Sequence, residues 1–300
     1  MKKKIYLYLC GGLGNQLFQF FTARNLAIKN DADLILDIKS GFITDFKYKD
    51  FFQLNIRNNK RIFYKRGVVI FWLYRLYKFF VKKKLIYSFF FSKLIDETCV
   101  NKFNNSINNI YFKKKLYLMG FYQSEKYFSE NKNIIIKEIF IRPPRNKIFT
   151  TMKKKIVNTN SVSVCLRLYE KESKKMINTL GGLISAHYIA KSIKFIIKKV
   201  KNPTFFFFST DSSNIFNFLN KLEFLKKYNY NIITEDLGYK GATNNLWLLS
   251  NCKNHIISNS SFYWWGAYLS SFKYKEQIIV SSNNFLNKDS VISNWQKIDC

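Results

Sequence analysis

The chain has 300 residues, 47% of them hydrophobic and 18% aromatic, enough to bury one large core or two of medium size and too apolar for an unfolded polymer. Lys and Arg number 50 against 19 Asp and Glu, and the resulting net charge of +31 favours anionic partners such as nucleotides, nucleic acid or acidic lipid headgroups. Five cysteines (10, 99, 165, 252 and 300) are odd in number, widely spaced and without a C-x-x-C pair, which excludes a disulfide scaffold or a cysteine-rich zinc site and points to free thiols in a reducing compartment.

The basic start MKKK is followed by an apolar run of about six residues, short of the roughly 7 to 15 of an export signal, so a cytoplasmic protein is expected. Residues 4–9 predict a short buried strand, residues 32–38 (ADLILDI) a second, and apolar positions at 17, 20, 21, 23, 26, 27 and 28 a helix between them. Strand, glycine loop, helix and strand make a βαβ unit. Its loop, CGGLGNQLFQF at 10–20, falls at the carboxyl end of the first strand, where open parallel sheets bind ligands. Position 17 is Leu, not the third glycine of a dinucleotide fingerprint, and no Gly-Lys-Ser/Thr follows; a nicotinamide dehydrogenase and a P-loop kinase are both excluded. Gly12 and Gly14 let the backbone approach a ligand, and the amides of Asn15 and Gln16 can donate and accept hydrogen bonds. The same residues also fit a plain strand-to-helix turn with Asn15 as the helix cap. Asp31-Ala32-Asp33 resembles a metal clamp, but it ends a helix and enters a strand, so a turn is expected.

Residues 68–95 are aromatic and apolar but are interrupted by Arg75 and by lysines 78 and 82–84, and no uninterrupted apolar run reaches the roughly 18 residues of a membrane span. The segment reads as a pair of amphipathic helices over a core, with peripheral contact to an anionic inner-membrane surface as the alternative. Pro143 and Pro144 mark a junction, dividing the chain into domains 1–145 and 146–300.

Beyond it, strands are predicted at 162–168, 204–208, 231–234, 255–258 and 277–281, with helices at 186–200 and 214–227. The alternation gives a second parallel sheet, hence an α/β protein of two Rossmann-like halves facing a cleft. Arg167 is the only arginine after residue 150, in a chain that uses lysine almost everywhere else, and its planar fork suits phosphate or carboxylate. Asp211, after the strand FFFF, can hydrogen-bond a base or ribose or cap the next helix. In NSSFYWW (259–265) the hydroxyls of Ser260 and Ser261 sit where a strand gives way to a helix, beside Asn259 and Phe262, and converge with the positive helix end on an anion site. The plainer alternative is that Ser260 caps that helix; the aromatics fill core in either case. With only His187 and His255 and no carboxylate cluster, no required metal is expected.

Taken in order, GGLGNQLFQF, GFYQSEKYF (120–128), FSTDSS (208–213) and LWLLSNCKNHIISNSSFYWWGA (246–267) resemble the bacterial α-1,2-fucosyltransferases that build O-antigen and related surface glycans. The resemblance spans nearly the whole chain. It implies a GT-B arrangement with the acceptor on the first domain and the GDP-sugar on the second, the last helix packing back on the first. It also implies transfer of L-fucose from GDP-fucose to a galactose hydroxyl of a β-galactoside glycan, lipid-linked or free, with inversion and without metal or other cofactor. Arg167 falls on the first Arg of the family's His-x-Arg-Arg-Gly-Asp segment, Asn15 in its Gly-Asn-Gln loop, Asp211 in its Ser-Asp-Asp segment and Ser260 with Ser261 in its Asn-Ser-Ser segment. The departures are Cys165 for His, Leu168 for the second Arg, Tyr169 for Gly, Glu170 for Asp, and Asn245 for an Asp. Catalytic roles therefore fall to Arg167 and Asn15, with Glu170 as the candidate proton acceptor; Gly12, Gly14, Gln16, Asp211, Asn259, Ser260, Ser261 and Phe262 are candidates for binding. Two other readings stand beside this one: a GT-B transferase of another nucleotide sugar, because no residue reads fucose by itself, and a basic membrane-surface or nucleic-acid-binding protein. The second leaves the glycine loop and the NSSF segment unexplained, and no nucleic-acid partner is expected.

Overall fold

The computed structural model describes residues 2–43, 52–67, 76, 93–97, 102–168, 173–179, 181–209, 215–235 and 240–300. They form two compact units, Met1–Phe140 and Ile141–Cys300. Pro143 and Pro144 lie in the irregular stretch just after that division. The amphipathic segment expected over 68–95 lies outside the described residues except for Leu76 and its end, 93–95.

The first unit is built on a five-stranded sheet in the order β3-β2-β1-β5-β4, with every pair parallel. Its strands are β1 (Lys4–Tyr8), β2 (Asp33–Asp37), β3 (Ile62–Lys65), β4 (Leu94–Glu97) and β5 (Lys115–Gly120). β1 and β2 enclose α1 (Leu13–Lys29), the predicted βαβ unit, with the helix beginning four residues earlier than its apolar pattern suggests. Every α1 residue from position 13 to 27 is buried except Asn15. Two of the buried polar residues on that helix are matched across the unit: Arg24 donates two 2.7 Å bonds to Glu138, and Asn25 donates to the Tyr127 carbonyl at 2.9 Å. Asp31, with φ of 49°, and Asp33 are both ion-paired to Arg61, so this acidic pair is tied down as a turn.

The second unit holds a six-stranded sheet, β11-β10-β9-β6-β7-β8, again parallel throughout. Its strands are β6 (Asn160–Leu166), β7 (Pro203–Ser209), β8 (Tyr230–Ile232), β9 (Asn254–Ile257), β10 (Ile279–Ser282) and β11 (Gln296–Ile298). All seven residues of β7 (PTFFFFS) are buried, as a central parallel strand covered on both faces requires. The helices α2 (Ala186–Lys199), α3 (Ala242–Leu249) and α4 (Ser261–Ser271) belong to this unit; α4 packs on α3 and β9, and the chain ends beyond it in β10 and β11. The single helix expected over 214–227 is in fact a short α-helix, Ile215–Asn220, followed by a 3-10 turn, Glu223–Lys227. Polar residues at 220 and 221 interrupt its apolar face there. Cys10, Cys165, Cys252 and Cys300 are free thiols. No helix among the described residues is long and apolar enough to cross a membrane.

Candidate active site

Both sheets reverse their strand order beside the first strand of the unit. In the first, the chain steps from β1 to β2 and β3 on one side and returns through β4 and β5 on the other; in the second it steps from β6 to β7 and β8 and returns at β9. The carboxyl ends of β1 and β5, and of β6 and β9, thus flank the two switch points, where loops on either side must diverge and leave a crevice. The predicted motifs fall there: the glycine loop follows β1, GFYQ follows β5, Arg167 follows β6 and NSSF follows β9.

In the first unit Gln123 Nε2 donates to Asn15 Oδ1 at 2.9 Å, joining residues 108 apart in sequence across the β1/β5 switch point. Asn15 is not a cap. Gly12 is the N-cap of α1, so Asn15 stands in the first turn, half-buried, with its amide oxygen bonded to Gln123. Gln16 is fully buried: it donates to the Gly11 carbonyl at 2.9 Å and accepts from the Gln53 N–H at 3.0 Å, so it shapes the loop from beneath. Gly14 is buried within the helix, and the left-handed position belongs to Gly11, at φ 73°, where an added Cβ would meet the Asn15 amide at 3.0 Å. Behind Gln123 lies an acid that the motif reading did not single out. Glu97, 2% exposed at the end of β4, accepts from the N–H of Tyr122 at 2.7 Å, the N–H of Phe121 at 3.2 Å and the Tyr127 hydroxyl at 3.0 Å. Burial pushes its pKa up to about 7 against the pull of those donors.

In the second unit Arg167 Nη1 donates to Ser260 Oγ at 3.3 Å, across the β6/β9 switch point. Ser260 is the N-cap of α4, yet its side chain makes no cap bond; the hydroxyl is turned to the guanidinium instead. First-turn N–H groups of a helix have no intrahelical acceptor, so the α4 start and Arg167 present donors at one place. Ser261 and Phe262 are half-buried in that turn. Asn259 is buried and donates to the Gly182 carbonyl at 3.2 Å, which ties the segment to a neighbouring glycine turn. Tyr263, Trp264 and Trp265 are core, and the Tyr263 hydroxyl fastens α4 to the sheet by donating to the Leu166 carbonyl at 3.0 Å. Glu170, Tyr169 and Asp211 lie outside the described residues.

Three of the departures from the family pattern, Cys165, Leu168 and Asn245, fall among the described residues. Cys165 is fully buried, its thiol pKa pushed up by burial, and Leu168 packs against the apolar core. Asn245 donates to the Glu235 carbonyl at 3.2 Å. His255 is fully buried between Ser163 Oγ (2.7 Å) and Ser270 Oγ (2.9 Å), and burial holds its pKa down to about 3, so this imidazole is a neutral core residue. Among the described residues no group of three or more His, Cys, Asp or Glu side chains is placed to hold a metal ion.

The model of glycosyl transferase family 11 matches residues 4–299. The chain belongs to that family. It is 32% identical over 279 residues to an α-1,2-colitosyltransferase of Escherichia coli, covering 88% of this chain and 87% of the relative. It is 26% identical over 298 residues to the O-antigen biosynthesis glycosyltransferase WbnK of the same species, covering 92% and 93%. Among solved structures, the fucosyltransferase NodZ from Bradyrhizobium aligns with a TM-score of 0.54 at 11% identity over 89% of this chain and 92% of that one. That likeness is one of fold, two parallel-sheet α/β domains of the GT-B type. This glycosyltransferase is thus of the α-1,2-fucosyltransferase family to which its sequence blocks pointed.

Proposed function

We propose that this enzyme transfers a 6-deoxyhexose, L-fucose or a close analogue, from its GDP-linked form to a galactose hydroxyl of a surface glycan, forming an α-1,2 linkage with inversion. The observation that carries the reading is the Arg167–Ser260 pair at the start of α4. Cleaving the anomeric C–O bond leaves negative charge on the diphosphate while the sugar becomes cationic, and donors fixed at the growing anion lower that barrier. A guanidinium fork and a helix start supply such donors without a divalent ion. In the other unit, Asn15 and Gln123 offer neutral amides of the kind that pair with sugar hydroxyls, which suits the acceptor. The proton acceptor is assigned to Glu170.

A second donor is favoured by a specific observation: the relative at 32% identity carries the name of a colitosyltransferase. Colitose is fucose without its 3-hydroxyl, so the two donors differ in one hydrogen-bonding group. The deciding experiment incubates the protein with GDP-fucose or GDP-colitose and a panel of β-galactosides, with and without EDTA, and reads product linkage by NMR. An α-1,2 product unaffected by EDTA is expected. Absence of transfer from both donors, with no GDP uptake in calorimetry, would falsify the reading.

A further inference from the structure

The turn that delivers Gln123 is wound around a buried carboxylate. Glu97 pairs with Gly120 across β4 and β5, and Gly120, at φ 134°, has no room for a side chain, since a Cβ would lie 2.7 Å from Glu97 Cβ and 2.8 Å from its carbonyl carbon. The next two residues turn both backbone N–H groups onto one oxygen, Glu97 Oε2. Successive amides converging in this way form an anion nest, here filled by a side chain of the same unit. At the end of the nest Tyr122 has φ of 50°, a conformation uncommon for an aromatic residue. Tyr122 is fully buried, and its hydroxyl donates to the Met119 carbonyl at 2.6 Å. Directly after this constrained residue comes Gln123, whose amide reaches Asn15.

We propose that Glu97 is a positioning residue for sugar transfer: by gripping the Phe121 and Tyr122 amides it fixes Gln123, and through it the half-buried Asn15, at the β1/β5 switch point. The inference rests on the transferase reading above. The groups facing the carboxyl are the Tyr122 and Phe121 amides, the Tyr127 hydroxyl and, with a repulsive charge, Asp96; desolvation outweighs the donors, so the carboxyl titrates near neutrality. An ionised group that the fold disfavours is a poor choice for stability alone, which supports a functional role.

The experiment is a double-mutant cycle between Glu97→Ala, or Glu97→Leu should the alanine variant not fold, and Gln123→Ala, with kcat and acceptor KM measured from pH 6 to 9. Each single substitution is expected to lower kcat roughly 10- to 100-fold, the cost of slight misplacement of a reacting group. The double variant should lose no more than either single one, because both changes cut the same chain of contacts. The Glu97→Gln profile should also lack any wild-type inflection near pH 7. Losses that multiply, or unchanged kcat in the variant that lacks an acceptor at position 97, would overturn the proposal. If neither donor is transferred, so that the function itself fails, amide hydrogen exchange at Phe121 and Tyr122 decides the matter separately. Roughly tenfold faster exchange in Glu97→Ala, or in Glu97→Leu should the alanine variant not fold, supports the grip, and unchanged protection refutes it.

Discussion

The two units solve the same topological problem with opposite chemistry. Each reverses its strand order beside its first strand and carries a long-range bond between two motif side chains across the resulting switch point, Gln123 to Asn15 in one and Arg167 to Ser260 in the other. The first bridge is neutral, amide to amide, with its acid buried behind it; the second is cationic and stands at a helix start. The fold supplies a crevice in both cases, and the side chains decide what each can take. A neutral amide rim suits the hydroxyls of a sugar, and a guanidinium beside a helix start suits a diphosphate.

The sharpest way to break this comparison is to remove the charge from the second bridge. Arg167→Ala is expected to lower turnover by about 10²- to 10³-fold, the usual loss for one donor aimed at developing charge. Arg167→Lys should recover little of it, because an ammonium cannot present two parallel donors. Calorimetric titration with GDP, run alongside, should show weakened binding in both variants; near-normal turnover in Arg167→Lys would mean that the fork plays no part.

A second prediction concerns stability and isolates the first bridge. Glu97 has a carboxyl raised from 4.5 to about 7 in the fold, so folding favours its neutral form. That contribution is fully present below about pH 4.5 and is lost as pH rises through about 7, a change of at most ~3 kcal/mol for a group this buried. Denaturant unfolding at stepped pH should therefore show the wild type losing more stability than Glu97→Gln between pH 5 and 8. Parallel curves for the two proteins would mean that the carboxyl is ionised at no such cost.

What the sequence revealed follows from how local each signal is. β1, β2, β7, β9 and β10 are contiguous apolar runs, and the four phenylalanines of β7 could hardly be anything but a central strand. β3 escaped because three of its four residues are exposed at a sheet edge, and β4 because LIDE carries two acids, one of them buried for a reason that only tertiary structure reveals. β5 (KLYLMG) is apolar enough, but its place beside β1 depends on pairing 111 residues away. The site divides in the same way. Motif blocks located the four loops, while the bonds that join them, Gln123 to Asn15 and Arg167 to Ser260, link residues 108 and 93 apart and leave no periodic trace. The alternative that Asn15 caps the helix fails because Gly12, with extended backbone, starts the helix three residues earlier.

That shift in the helix start makes the next prediction a test of function more than of folding. Asn15→Ala removes a half-buried amide and no cap, so acceptor-side turnover should fall about tenfold, one lost neutral hydrogen bond in the transition state, with GDP affinity unchanged. The melting temperature should move little. A large drop in thermal stability with normal activity per folded molecule would return Asn15 to a purely structural role.

The smallest effect is expected at Ser260, and it is informative because the sequence alone suggests a larger one. Replacing a capping serine by alanine ordinarily costs about 1 kcal/mol of stability. Here the hydroxyl makes no cap bond and is turned to Arg167 Nη1 at 3.3 Å, a distance at the long end for a hydrogen bond. Ser260→Ala should therefore unfold within about 0.5 kcal/mol of wild type, the ordinary range for a change that breaks no cap. Its turnover should fall only a few-fold, since Arg167 and the α4 amides remain. If stability falls by the full capping value while turnover is untouched, the hydroxyl serves the helix, and the cationic bridge reduces to the guanidinium acting with the helix start alone.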